Sequence, residues 1–372
     1  MRDRPTSAAV RLRRSFLVDA IAIVAAIAVR LGTPPPSWIE AHYANGAYPA
    51  IDRAVRALTG PIPIDVGDVL LAIAIASLVR YWIVEAKRGR RNLPSTLARI
   101  ASRTLAVACG IYVWFMFSWA FDYSRIPLSE KLALHEERTG EDSVNRFADR
   151  ITDELTRAAP AAHRERISDA EVAVRLEPTF ERTIRRLGDV ATFAPPRIKP
   201  TVFQPLLQAS ATTGFTDPWT HEVNVDSSLF FFERPAIFAH EWSHVSGFND
   251  EAEANFISVI ACTTSGDPLL RYSGLLLVWE NLPQGVHLTH RMGRLAYDDL
   301  MAIRARYVRN VNARVEHAGR AAYDGYLKSN HVKAGYASYG LFIRWMTAAD
   351  FDRSGLPIVR SAPGSGTTDS GG

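Results

Sequence analysis

From Leu105 to Phe121 the chain runs for 17 residues without one charged side chain, and Trp114, Phe115, Phe117, Trp119 and Phe121 gather toward its end. A helix of that length and composition suits the hydrocarbon core of a bilayer, with its aromatic residues at one interface. Two further apolar runs precede it. Phe16 to Leu31 carries Asp19 and Arg30 near its ends, where polar side chains reach the interface. Val66 to Val84 carries Asp68 and Arg80, which leave a shorter apolar centre and admit an interfacial or re-entrant helix as well as a span. A cleaved leader is the alternative for the first run, but the Pro-rich segment after Gly32 offers no small-residue cleavage site.

Charge placement orders these runs. Arg2, Arg4, Arg11, Arg13 and Arg14 precede the first, and Lys87, Arg88, Arg90, Arg91, Arg99 and Arg103 lie between the second and third. The intervening loop offers only Arg53 and Arg56. Basic loops stay in the cytoplasm, so three spans (about 16–31, 66–84 and 105–121) would put everything after Phe121 on the far side of a cytoplasmic membrane. The formal charge of +4 belongs to these flanks rather than to one soluble face, which argues against a nucleic-acid partner. Of the two cysteines, Cys109 sits in an apolar run and Cys262 in an expected helix. Neither a thiolate metal site nor a disulfide framework follows, so any metal must use His and carboxylate ligands.

A soluble unit over 122–360 is expected to be mostly α. Val144, Phe147, Ile151 and Leu155 recur at helical spacing within Ser143 to Ala159. The Pro-rich stretch Ala194 to Pro205 breaks helix, and His221 to Asp226 alternates as a short strand. From Pro235 the reading is nearly all helix, including one long Arg-rich helix from Leu288 to Lys328 with a solvated face. The Gly-, Ser- and Thr-rich residues 361–372 are expected to be a disordered tail, and no internal repeat is visible.

The chemistry concentrates in Phe238-Ala239-His240-Glu241-Trp242-Ser243-His244-Val245-Ser246-Gly247. Pro235 suits a first helical turn and Gly247 a helix C-terminus. His240 and His244, four apart, share one face and can present two imidazole nitrogens to one ion. Glu241 can serve a water at that ion without binding it. The apolar Ala236-Ile237-Phe238-Ala239 before the motif marks a buried helix, where unpaired imidazoles and carboxylates are costly. Zinc needs a third ligand, and Glu251, in a helix starting just past Gly247, is the choice, because Asn255 one turn later can hydrogen-bond a ligand His. Glu253, about 160° away from Glu251 around a helix, and Asp250 are the rivals. The His-x-x-Gly-x-x-Asp spacing superficially resembles that of metzincins, but Asp250 stands where those carry a third His.

These residues also carry a resemblance. Asp122-Tyr123 with Pro127-Leu128, Gly214-Phe215-Thr216-Asp217-Pro218, Val223-Asn224-Val225, the HExxH helix, Glu251-x-Glu253-Ala254-Asn255-Phe256, Arg271-Tyr272-Ser273-Gly274, and Val332-Lys333-Ala334-Gly335 with Ser338-Tyr339-Gly340 resemble an uncharacterised bacterial domain-of-unknown-function family. That likeness implies three N-terminal transmembrane helices followed by a zincin-like domain, which the residues themselves read as a helical metallopeptidase domain with a small β edge. The Glu251-x-x-Ala254-Asn255 segment is similar to the Glu-x-x-Ala-Asp ligand motif of gluzincin membrane peptidases, with Asn255 in place of the Asp and a much shorter gap after His244.

The expectation is therefore a multi-pass inner-membrane zinc metallopeptidase whose extracytoplasmic domain hydrolyses peptide bonds of an envelope or membrane substrate, with Zn2+ as cofactor and the lipid bilayer and a peptide or protein as partners. Glu241 is its acid and base. Tyr272, His331, Tyr336 and Tyr339 are available to steady an oxyanion, although for each tyrosine a packed core role is the plainer reading. His287 and His290 read as surface residues. The alternative is a catalytically silent metal-binding scaffold or sensor, which would have no use for Glu241 and would close the fourth metal position. A transporter would need paired repeats that three spans do not supply.

Overall fold

The computed structural model describes residues 7–89, 92–189, 192–283 and 291–360. The expectations for the 361–372 tail, for His287 and His290, and for the basic Arg2, Arg4, Arg90 and Arg91 lie outside the described residues.

α1 (Ser7–Leu31) ends at the Pro34-Pro35-Pro36 run, where prolines remove backbone donors. The short α2 (Pro36–Trp38) and a π-helix (Ile39–Ala47) turn the chain into α3 (Tyr48–Thr59). The helix before the break and the helical stretch after it meet at 107°. α4 (Val66–Arg88) and α5 (Leu93–Ser118) are each long and apolar enough to cross a membrane. The first apolar run reaches that standard only together with its bent partner, so the described helices supply two spans, or three if the bent pair is one.

α5 starts at Leu93 rather than Leu105, with Asn92 capping it by accepting from Ser95 N (3.3 Å), and its charged turns find partners: Arg99 meets Glu85 at 2.9 Å and Arg103 meets Asp19 at 3.0 Å. Asp68, which shortens the apolar run of α4 in sequence, sits in the first turn and accepts from Thr201 Oγ1 (3.0 Å) and Val202 N (2.8 Å). Close by, Glu222 accepts from Val66 N (2.8 Å) and Gly67 N (3.0 Å), and Ser118 at the end of α5 donates to Pro218 O (2.8 Å). The start of α4 and the end of α5 therefore meet the rest of the chain at one level, with the Glu85 and Arg99 pair at the opposite end.

The remainder is a helical unit around a small sheet. α6 (Leu128–Lys131) leads to α7 (Glu141–Ala162), whose Phe147, Ile151 and Leu155 are buried. α8 (Asp169–Arg186) begins with a reciprocal cap, Ser168 to Glu171 N and Glu171 back to Ser168 N. β1 (Ile198–Lys199), α9 (Gln204–Ala209), β2 (Gly214–Thr216) and β3 (Val223–Val225) follow. The strand order is β1-β3-β2, with β1 parallel and β2 antiparallel to the central β3. α10 (Arg234–Val245), α11 (Glu251–Thr263) and α12 (Pro268–Glu280) form the centre. Trp242 of α10 is fully buried and meets Phe180 and Phe193 edge-on or tilted, at 5.5 and 5.2 Å between ring centres.

The single helix expected from Leu288 to Lys328 is instead two, α13 (Arg294–Asn310) and α14 (Ala313–Ser329). The break has a local cause: Asn312 caps α14, accepting from Arg314 N (3.0 Å) and Val315 N (3.4 Å), while its own N–H donates to Ala209 O (2.9 Å). A turn over Gly335–Gly340 and α15 (Leu341–Ala348) complete the unit.

Candidate metal centre

α10 carries Pro235 in its first turn and stops at Val245. Gly247 then adopts φ +77°, while Gly247 N donates to His244 O (2.9 Å) and Phe248 N to Ser243 O (3.0 Å), closing the helix end. A side chain at Gly247 would be strained by that φ and would come within 2.9 Å of the Asp122 carboxylate. The reversal is tight enough that Asp250 already caps α11, accepting from Ala252 N (2.8 Å) and Glu253 N (3.4 Å). Ser258 Oγ donates to Ala236 O (2.6 Å), fastening α11 along α10. The first turn of α11 thereby lies over the histidine face of α10.

Three ligand atoms converge there. His240 Nε2 and His244 Nε2 are 3.2 Å apart, and Glu251 Oε2 lies 3.1 Å from the first and 3.6 Å from the second. Tetrahedral zinc with bonds near 2 Å separates its ligand atoms by about 3.3 Å. Glu251 Oε2 is buried and makes no aligned hydrogen bond despite these short distances, as atoms aimed at a common point rather than at each other would. His240, His244 and Glu251 can hold a metal ion, and they are the cluster of that kind among the described residues.

The imidazoles are oriented from behind. Asn255 Nδ2 donates to Tyr339 O (3.2 Å), which turns Asn255 Oδ1 toward His240 Nδ1 (2.9 Å). His244 Nδ1 donates to Phe248 O (3.0 Å). With both Nδ1 atoms donating, both Nε2 lone pairs face the same space as the Glu251 carboxylate. Such a meeting of lone pairs requires positive charge. Burial alone would lower the His244 pKa, but Glu251 and then Glu241 outweigh it and raise it to about 9. Glu251, although desolvated, is held below the usual carboxylate range by His244 and His240. An ion would take the place of that proton.

Glu241 is the next residue on α10 and is 3% exposed. Thr216 Oγ1 of β2 donates to its Oε2 (2.7 Å). Gly214, two residues earlier on the strand, leaves room for Oε1, since a Cβ there would lie 2.2 Å from that atom. Burial raises the Glu241 pKa, and the two histidines pull it back in part. A carboxyl poised in this way can take up and return a proton.

The other named residues separate cleanly. Asp250 caps α11, and Glu253 accepts from Leu128 N (2.6 Å), so neither stands with the histidines. Tyr339 stacks on His240 (6.5 Å, 11°). Tyr272 is buried against Asp299, to which it donates at 2.5 Å, and His331 is exposed with φ +73°. Tyr336 lies in the Gly335–Gly340 turn, its side chain outside the described residues.

Sequence reasoning missed three contributors. Tyr323 of α14 donates to Glu251 Oε1 and stacks on Tyr326 (5.5 Å). Gly214 and Thr216 make room for and hold Glu241. The signal for Tyr323 was its i, i+3 pairing with Tyr326, which nothing local ties to Glu251.

No curated protein and no solved structure matches the chain. The model of the family described as Protein of unknown function (DUF3810) matches residues 43–347, from the π-helix to α15 and across every residue of the candidate metal centre, and the chain belongs to that family.

Proposed function

We propose that this chain is a membrane-anchored zinc metallopeptidase with a zincin-like domain, in which His240, His244 and Glu251 hold the ion and Glu241 moves protons. The observation that carries the reading is the convergence of three buried ligand atoms within 3.1 to 3.6 Å beside a fourth group, Glu241, that is aimed and held but is not one of them. When bound, zinc supplies Lewis-acid activation of water and of a scissile carbonyl. Glu241 Oε1 accepts the proton of the attacking water while Thr216 keeps Oε2 in place. The same carboxyl then returns that proton to the leaving amine. Asn255, Phe248 and Tyr323 keep the ligands in register throughout. A purely structural site would need no such base.

The reading is tested with the purified full-length protein and a peptide library. Cleavage is expected to stop on chelation and to return with added zinc; cleavage indifferent to chelator would refute it. The substrate we propose is a peptide or protein of the envelope or membrane, with no nucleic acid involved.

We further propose that the protein sits in a bacterial cytoplasmic membrane with the metal centre outside. The support is that Lys87, Arg88, Arg99 and Arg103 lie toward the end of α4 and α5 opposite the helical unit. Alkaline phosphatase fused after residue 372 should be active. Activity only from a cytoplasmic reporter at that point would reverse the topology.

A further inference from the structure

Five large apolar side chains lie exposed within one stretch of the helical unit: Val202 (74%), Phe203 (40%), Leu206 (52%), Phe215 (43%) and Trp219 (40%). Isolated exposed apolar residues are ordinary, but these flank the points where the membrane helices join the unit. Val202 N donates to Asp68 in the first turn of α4. The main chain of Trp219 accepts from Trp114 Nε1 of α5 (3.2 Å), and its ring meets Phe115 at 5.8 Å. Asp217, two residues beyond Phe215, packs so close to Gly67 that a Cβ there would lie 2.3 Å from its carboxylate. The depth of this surface relative to α4 and α5 is thus set by hydrogen bonds and close contacts rather than by a flexible link.

We propose that Val202, Phe203, Leu206, Phe215 and Trp219 form a surface that dips into the lipid headgroup and upper acyl region around α4 and α5. Its occupant is lipid, because the patch continues the apolar sides of helices long enough to cross the bilayer, where Trp114 (41%) and Phe117 (43%) are also exposed. Aromatic and aliphatic side chains at the end of a span are stable at that depth, and burying them there gains what leaving them in water forfeits.

The surface also bears on the metal centre. Side chains alternate along a strand, so in β2 Gly214 and Thr216 face Glu241 while Phe215 projects to the opposite side. Immersion of Phe215 would hold the strand that positions Glu241 at the membrane surface. The substrates would then be polypeptide segments lying at or emerging from that surface. This consequence rests on the peptidase reading; the immersion itself does not.

The test uses the full chain in phosphatidylcholine–phosphatidylglycerol nanodiscs, with Cys109 and Cys262 replaced by alanine. An environment-sensitive fluorophore is placed on Val202→Cys or Leu206→Cys. Val174→Cys serves as reference, being at 70% about as exposed as Val202 and more exposed than Leu206, on α8 beside Arg175 and Glu177. Nitroxide lipid labelled at the top of the acyl chain should quench the probes at 202 and 206 at least about twofold and leave 174 unchanged. Either position decides if the other variant fails to fold. Quenching at 202 and 206 no greater than at 174 overturns the proposal. Shielding from a water-soluble quencher without lipid quenching overturns it too, pointing to a protein partner or a second copy.

Discussion

Glu241→Gln should keep its metal and lose about a thousandfold in peptide hydrolysis, the loss expected when a positioned general base is removed. Gln matches the shape of Glu, so the Thr216 hydroxyl can still donate to its oxygen, and Gly214 still leaves room for the side chain. It cannot accept a proton. His240, His244 and Glu251 are untouched, and the ion should stay. The paired measurement is kcat/KM against zinc content for the wild type and the variant. Equal zinc loss in Glu241→Gln and in His240→Ala would end the division of roles, and an unchanged rate would remove Glu241 from the chemistry.

The second large effect separates the two glutamates of α11. Glu251→Ala should lower zinc affinity at least about tenfold, because it removes a ligand atom 3.1 Å from His240 Nε2 and leaves Tyr323 without its acceptor. Glu253→Ala should bind zinc as the wild type does. Its carboxyl faces the other way and accepts from Leu128 N, so its loss orphans a buried donor and should cost about 1–3 kcal/mol of stability instead. Zinc competition titrations report the first difference and thermal melts the second. A Glu253→Ala variant that melts normally but loses zinc would transfer the ligand role.

How far these residues could be read in advance follows from distance along the chain. His240, Glu241, His244 and Glu251 lie within one helix, one turn and the start of the next, so helical periodicity and the Gly247 turn suffice to bring them together. The preference for Glu251 over Glu253 rested on the same arithmetic, with Asn255 one turn further on. Thr216 lies 25 residues from Glu241 and Tyr323 lies 72 from Glu251, and no local pattern joins them. Only the packing of β2 and α14 against the centre does so.

The long apolar helices show the same division. Hydropathy marks their apolar middles but not their ends, which are decided by Arg99 with Glu85, Arg103 with Asp19, and Asp68 with Val202. The bend after α1 has a readable cause in Pro34 to Pro36, whereas the π-helix that follows has no sequence signal we can name. The break between α13 and α14 was readable, since Asn312 is a good helix cap, but the Arg-rich periodicity on both sides of it concealed the stop.

Whether His240, His244 and Glu251, three side chains from two helices, form a zinc site is decided by counting the metal. The full-length protein, purified in detergent with trace zinc, should carry one zinc per chain by elemental analysis, and His240→Ala and His244→Ala should each carry none while keeping the wild-type helical spectrum. Wild-type protein that is folded yet takes up no zinc, or alanine variants that retain it, would mean that these side chains do not form a zinc site.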